Sequence, residues 1–318
     1  MENRTDLVED LIILDKLGEN SFRSRRLAPP HVPLGHTAVY GGQLVAQCLY
    51  AASQTVEGEY FVHSLHTYFI HPSFPEKPIH FEVERIRDGK TYKIRLVIAI
   101  QNGQRAVMMA CSFSRKTKSK YSHQFSMPPV PAPEEIMNDR DRYLTVMKDP
   151  RCTGPIYKYL EKALEVTLKH IECRYIVSSP DEGILIPPKK ASRRYAWLRV
   201  IKPFDDCHQS LHRCALAYAS DERILTVAGL PLGIGFGTDP YLSMLTSLDH
   251  TMYFHDDFQA DEWLLYEIES PRLKDERGLV NSRVYRRDGT LVANVIQEGV
   301  VRLASGSLAQ MLKQKGRL

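Results

Sequence analysis

The chain is 318 residues long, 25% charged and 43% hydrophobic, and its 42 basic residues exceed its 38 acidic ones by a formal charge of only +4. That length holds ample core for two domains or one intimate pair, and so small and scattered a positive excess excludes a nucleic-acid groove, which gathers basic residues and aromatics into a stripe. Six cysteines without a C-x-x-C pair, several of them inside apolar patterns, point to core thiols in a reducing compartment.

Residues 1–20 mix acids with leucines and lack a small-residue cleavage site, and no run anywhere approaches the length of a bilayer span. The expectation is a soluble, non-secreted protein without integral membrane association. Asp6 is placed to cap a helix running through Lys16, with Leu7, Leu11 and Leu14 on one face. Residues 21–36 carry Pro29, Pro30 and Pro33 and read as an extended lead.

Gly41 and Gly42 then admit a sharp entry into a helix ending near Ser53, whose apolar residues Leu44, Val45, Cys48, Leu49 and Ala52 recur three and four apart. Four β-rich segments follow: 61–70, 79–87, 92–101 and 105–114. The dipeptides Asp88-Gly89 and Asn102-Gly103 mark tight turns between them. A helix followed by an antiparallel meander is buried most economically when the sheet curls round it.

From Arg115 to about Lys190 the composition changes. A basic cluster leads into Met127-Pro-Pro-Val-Pro-Ala-Pro133, which favours a solvated linker, and short helices are expected at 134–147 and 157–170. No catalysis is expected in this connector. A second unit begins near Arg193 with a strand, takes its helix from 206–220, and continues with strands at 247–255, 263–271, 278–286 and 291–302. Gly233-Ile-Gly-Phe-Gly237 lacks a flanking strand and helix and fails as a dinucleotide fingerprint; it reads as a loop. Ser64-Leu-His-Thr-Tyr-Phe-Ile-His71 echoes Ser247-Leu-Asp-His-Thr-Met-Tyr-Phe-His255, so the chain reads as an internal duplication. Joining the two units edge to edge removes two exposed sheet edges at once. The predicted organisation is an N-terminal unit at 1–115, a connector at 116–190 and a C-terminal unit at 191–318.

Val39-Tyr-Gly-Gly-Gln-Leu-Val-Ala-Gln47, Val62-His-Ser-Leu-His-Thr-Tyr-Phe-Ile70, Ala217-Tyr-Ala-Ser-Asp221, Ser247 to His255, Glu262-Trp-Leu-Leu-Tyr266 and Gln297-Glu-Gly299 closely resemble the acyl-CoA thioesterase II family, in register from about Asp10 to Arg302. The resemblance implies an α+β double hot-dog fold, hydrolysis of fatty acyl-CoA to free acid and CoA, and no metal or organic cofactor. It also implies a water activated by three groups that match Asp221, Ser247 and Gln297. The trio makes chemical sense, because a carboxylate takes the proton while a hydroxyl and an amide aim the lone pair at a thioester that needs no covalent nucleophile.

Apart from the resemblance, an aspartate just past a helix is a turn residue and a serine at a strand start is structural. Gln297 is harder to dismiss, since an amide inside the apolar run 292–301 needs partners. Strand alternation counted from Ser247 puts Asp249 on its side and His250 on the other, which makes Asp249 the supporting residue. His66, His71, His250 and His255 recur with the duplication and read as satisfied core or interface residues. Gly41 and Gly42 carry two readings, close packing or a helix N-terminus holding a carbonyl oxygen or phosphate. The competing functions are a hot-dog enoyl-CoA hydratase, using Asp249 with a histidine from elsewhere, and a non-catalytic acyl-CoA-binding module. Gly316-Arg-Leu318 is a variant of the peroxisomal Ser-Lys-Leu address, the alternative being a cytoplasmic protein, and association into a homo-oligomer is left open.

Overall fold

The computed structural model describes residues 6–28, 38–117, 119–166, 170–201, 204, 208–235 and 238–306. In chain order, a wide helical turn, Leu7–Ile12, precedes β1 (Leu14–Lys16), β2 (Ser21–Ser24), α1 (Gly41–Ser53), β3 (Tyr60–Phe69), β4 (His80–Asp88), β5 (Tyr92–Gln101) and β6 (Gln104–Arg115). The connector carries a short turn, Pro133–Glu135, then α2 (Asp139–Met147), α3 (Gly154–Val166) and β7 (Ile171–Tyr175). The second unit follows with β8 (Arg193–Val200), α4 (Gln209–Ser220), a 3-10 segment Ile224–Leu232, β9 (Tyr241–Ser247), β10 (Asp249–Phe254), β11 (Leu264–Lys274), β12 (Arg277–Arg286) and β13 (Leu291–Ala304).

The strands form one sheet in the order β1-β2-β4-β5-β6-β3-β10-β13-β12-β11-β8-β7, with β9 also paired to β13. The expected fusion is present at β3 and β10, antiparallel neighbours with Leu65 opposite Met252, so neither central strand keeps a free edge. The hairpin predicted at Asn102-Gly103 has both residues at positive φ, 53° and 75°, the conformation for which such dipeptides are favoured.

The periodicity of α1 predicts burial on one face, but α4 packs on its other side and encloses it. Val45, Ala46, Cys48, Leu49, Ala51 and Ala52 are all fully buried. Each large side chain among them contributes about 1.5–3 kcal/mol of transfer free energy. Two glutamines on this helix are also fully buried, and each amide is put to use. Gln43 Nε2 donates to Leu11 O (3.0 Å) and Arg26 O (2.7 Å), its Oε1 accepts from Ala28 N (2.8 Å), and Gln47 Nε2 donates to Leu11 O (2.8 Å). They bind the N-terminal segment across the helix.

The two helices run antiparallel, the start of α1 against the end of α4, and Gly42 makes this approach possible. A Cβ there would lie 2.3 Å from the carbonyl oxygen of Tyr218 and 2.7 Å from the Tyr40 ring. The close-packing reading of Gly42 therefore holds.

Several expectations are corrected. Asp6 does cap a helix, accepting from Val8 N and Glu9 N, but the helix stops at Ile12 because the chain turns into β1. Ser21–Ser24 is a strand rather than extended lead, while 29–37 lie outside the described residues. The second helix is described from Gln209, after its N-cap His208, and residues 205–207, at the expected start, lie outside the described residues. β7 lies within the expected connector and pairs with β8, and the helix expected over 157–170 is described as Gly154–Val166, 167–169 lying outside the described residues. β9 and the 3-10 segment before it were not predicted. The proline run is not simply solvated either: Trp197 Nε1 donates to Pro131 O at 2.9 Å, and Met127 and Val130 pack on the cluster of Trp197, Trp263, Leu265 and Tyr285.

Replacing Gly42 with Ala forces a methyl group into backbone carbonyl and tyrosine ring, so Gly42→Ala is expected to lose about 1–3 kcal/mol of stability, read as a lower urea midpoint with an unchanged slope.

Candidate active site

The last turn of a helix leaves carbonyls without intrahelical partners. In α4 two buried tyrosines take them: Tyr40 Oη donates to Tyr218 O (2.9 Å) and Tyr266 Oη to Ser220 O (2.7 Å). Asp221, the C-cap residue, is thereby held at a fixed point facing the start of α1. The backbone N–H of Gly42 faces its carboxylate and lowers its proton affinity, so the packing contact at this glycine is also an electrostatic one. Gly41 lies just as close, since a Cβ on it would come within 2.8 Å of Asp221 Oδ2.

Ser247 ends β9, and Gln297 lies on β13 with no exposed surface. Asp221 Oδ1 accepts from Gln297 Nε2 at 2.9 Å and from Ser247 Oγ at 3.4 Å, and Gln297 Nε2 also donates to Ser247 Oγ at 2.7 Å. The three residues singled out in the sequence thus meet. They stand in the wall of a cavity of about 540 Å³ whose other lining includes Val39, Phe69, Ile70, Leu225, Met244 and Leu245. A small polar group set into an apolar recess is the usual composition of a ligand site.

Asp249 does not join them. Its Oδ1 accepts the Glu298 N–H at 2.7 Å, and it is absent from the cavity wall. Ser247 pairs with Gly299 and Thr251 with Ile296, so four steps on one strand match three on the other: a bulge centred on Leu248. The extra residue reverses the alternation and turns His250 inward, fully buried, with Nδ1 at 2.6 Å from Gln297 Oε1 and Nε2 at 2.9 Å from Ser220 Oγ. The hydratase reading built on Asp249 paired with a histidine loses that carboxylate from the pocket. The other three histidines each have a hydrogen-bond partner, His66 in Thr251, His71 in Arg105 O and His255 in Asn294, but all three are exposed rather than in the core.

Burial pushes the Asp221 carboxyl above its ordinary value; the field of His250, the Gln297 amide and the Gly42 N–H pull it back, and Glu222 adds to the rise. Burial pushes His250 below its ordinary value, against the attraction of Asp221. The connector also reaches this turn. Arg223, at positive φ, lies 2.9 Å from Asp139 of α2 and 3.0 Å from Glu222. Among the described residues no cluster of His, Cys, Asp or Glu is arranged to hold a metal ion, and no helix is long and apolar enough to cross a membrane.

Two helices wrapped by one fused sheet define a double hot-dog protein. Sequence patterns for the acyl-CoA thioesterase N-terminal domain and for acyl-CoA thioesterase match residues 28–114 and 175–300. The chain is 34% identical to mouse acyl-coenzyme A thioesterase 8 over 94% of its own length and 90% of the relative's. It is 25% identical to the peroxisomal acyl-coenzyme A thioester hydrolase 1 of Saccharomyces cerevisiae, over 92% and 94% of the two chains. The crystal structure of acyl-CoA thioesterase II TesB2 from Mycobacterium marinum superposes with a TM-score of 0.69 at 32% identity, covering 94% of this chain and 99% of that one. The chain belongs to the acyl-CoA thioesterase family.

In the free protein, carbon-detected NMR is expected to find Asp221 taking up its proton above the ordinary aspartate value of 3.8 as pH falls, and His250 taking up its own only below 6.5.

Proposed function

We propose that this chain hydrolyses fatty acyl-CoA thioesters with a water molecule activated by Asp221 and oriented by Ser247 and Gln297. Hydrolysis of acyl-CoA follows from membership of the family; the roles of the three residues are our reading. The observation that carries it is their convergence, within 2.7–3.4 Å of one another, on the wall of an apolar cavity.

In this mechanism the carboxylate takes a proton from water as its oxygen attacks the thioester carbon. The C–S bond then breaks, and the proton held by Asp221 passes to the departing CoA thiolate. Its raised proton affinity helps the attack, because a stronger base accepts the water's proton more readily. The Ser247 hydroxyl fixes the water's lone pair in the direction of attack, the Gln297 amide holding both that hydroxyl and the Asp221 carboxylate in place, and fixing the water so removes much of the entropic cost of the encounter. Val39, Phe69, Ile70 and Met244 offer a surface suited to a hydrocarbon chain, which supports the fatty class of acyl group.

For location we favour the peroxisome. The tripeptide Gly316-Arg-Leu318 lies outside the described residues, so support comes from the sequence, with Lys313 and Lys315 upstream, and from the name of the yeast relative. A fluorescent fusion of the full chain is expected to appear in puncta that become diffuse when 316–318 are deleted; an unchanged distribution rejects the address.

Thiol release from palmitoyl-CoA tests the chemistry. Asp221→Asn is expected to lose about 10²–10⁴-fold in kcat, and Gln297→Leu about 10²-fold. The wild-type kcat/KM is expected to rise with pH along an acid limb lying above 3.8, as the Asp221 carboxyl ionises. Full activity in Asp221→Asn removes the proposal.

A further inference from the structure

The amide of Gln297 has two ends and only one useful orientation. With Nε2 toward the cavity its two hydrogens meet Asp221 Oδ1 (2.9 Å) and Ser247 Oγ (2.7 Å). Turned over, it would set a carbonyl oxygen against a carboxylate, a repulsive pair in a poorly solvated site. The choice is transmitted from behind. Gln297 Oε1 faces His250 Nδ1 at 2.6 Å, so the useful orientation requires a proton on that nitrogen.

A neutral imidazole carries one proton, and burial keeps this ring neutral. Which nitrogen holds it depends on Ser220, whose hydroxyl lies 2.9 Å from His250 Nε2 and 3.0 Å from Ala217 O, with one hydrogen to give. If the serine donates to the histidine, Nε2 is bare, Nδ1 is protonated and Gln297 presents its NH₂ to the cavity. If it donates to Ala217 O, the ring must donate from Nε2, Nδ1 is bare, and the amide is inverted. With Asp221 ionised, the first arrangement satisfies the chain of contacts from Ser220 through His250 and Gln297 to Asp221 and Ser247, at the cost of the Ser220 contact with Ala217 O.

We propose that His250, with its tautomer set by Ser220, is a positioning residue for hydrolysis: it locks the Gln297 amide so that its two hydrogens point at the base and at the serine. His250 touches neither cavity nor substrate in this role, being absent from the cavity wall and acting through Gln297. The inference rests on Asp221 being the base. Of the charged groups around the pair, Asp249 is engaged by Glu298 N, and Glu222 lies against Arg223, which Asp139 holds in turn; Tyr40, Tyr218 and Tyr266 are buried and neutral.

The direct test is the ¹⁵N spectrum of the wild-type protein near neutral pH, where a protonated Nδ1 and a bare Nε2 are expected; the opposite tautomer overturns the proposal. The kinetic test compares His250→Leu, which removes the donor, with His250→Asn, whose amide N–H can replace Nδ1–H, and with Ser220→Ala. His250→Leu is expected to lower kcat at least about tenfold with little change in KM. Its acid limb should also move to higher pH, because Asp221 loses a correctly oriented amide N–H that lowers its proton affinity. His250→Asn should recover most of the turnover and of the limb position, and Ser220→Ala should show a smaller change in the same direction. Equal losses in the Leu and Asn variants with an unmoved limb would mean that the ring only fills space, and a folded Leu variant with wild-type kinetics also overturns the idea. Should the Leu variant fail to fold, the Asn and Ser220→Ala pair and the spectrum still decide. Asp221→Asn, run alongside, separates the two failures: if it keeps its activity the base is misassigned, whereas if it is inactive while the tautomer is reversed, only the positioning role falls.

Discussion

The contact between the first turn of α1 and the last turn of α4 governs the rest of the molecule. A bare Cα at Gly42 lets one helix start against the carbonyl of Tyr218 in the other, and nothing larger than hydrogen fits. That approach sets the spacing of the two units, because each sheet half wraps its own helix and the helices meet in the middle. It also brings an N-terminal N–H to a carboxylate at the far helix's end, joining the positive pole of one dipole to an acid in the other unit. The same contact serves packing and electrostatics.

Much of this was legible in the chain. The core periodicity of α1, the turn dipeptides and the echo between 64–71 and 247–255 are local signals, and they delivered the helix, the meander and the edge-to-edge fusion. The trio of Asp221, Ser247 and Gln297 came from motif resemblance, with the buried amide of Gln297 as the one residue whose environment argued for itself. What local pattern could not deliver depends on distant partners. The bulge at Leu248 arises from how β9 and β10 share β13, and it overturned an alternation rule that is sound for a regular strand. Asp249 was favoured over His250 for that reason. β7 and β9 escaped because a short strand beside prolines or glycines looks like loop until its partner is known.

The connector is more than a spacer. Its proline run covers Trp197, and α2 sends Asp139 to Arg223, two residues past Asp221. Asp139 is almost completely buried, and burial raises its proton affinity while Arg223 and Arg142 lower it. An ion pair in such a place adds little net stability but penalises any arrangement that separates its members. The turn carrying Asp221 is therefore braced from two sides, by the tyrosines on the helix carbonyls and by this pair. At the corresponding end of α1 the C-cap residue is Gln54, which cannot act as a base. The duplicated architecture has kept its shape in both halves and its acid in one.

The hydrogen bond from Tyr40 to the carbonyl of Tyr218 joins residues 178 positions apart. A ribosome making this protein delivers α1 long before α4 exists, so the emerging first half has an apolar helix with one side uncovered. Until the later helix arrives, that face is open to chaperones and to other nascent chains. Maturation is thus coupled to completion of synthesis, and a truncated product has neither the cover for its first helix nor the acid it was shaped to receive.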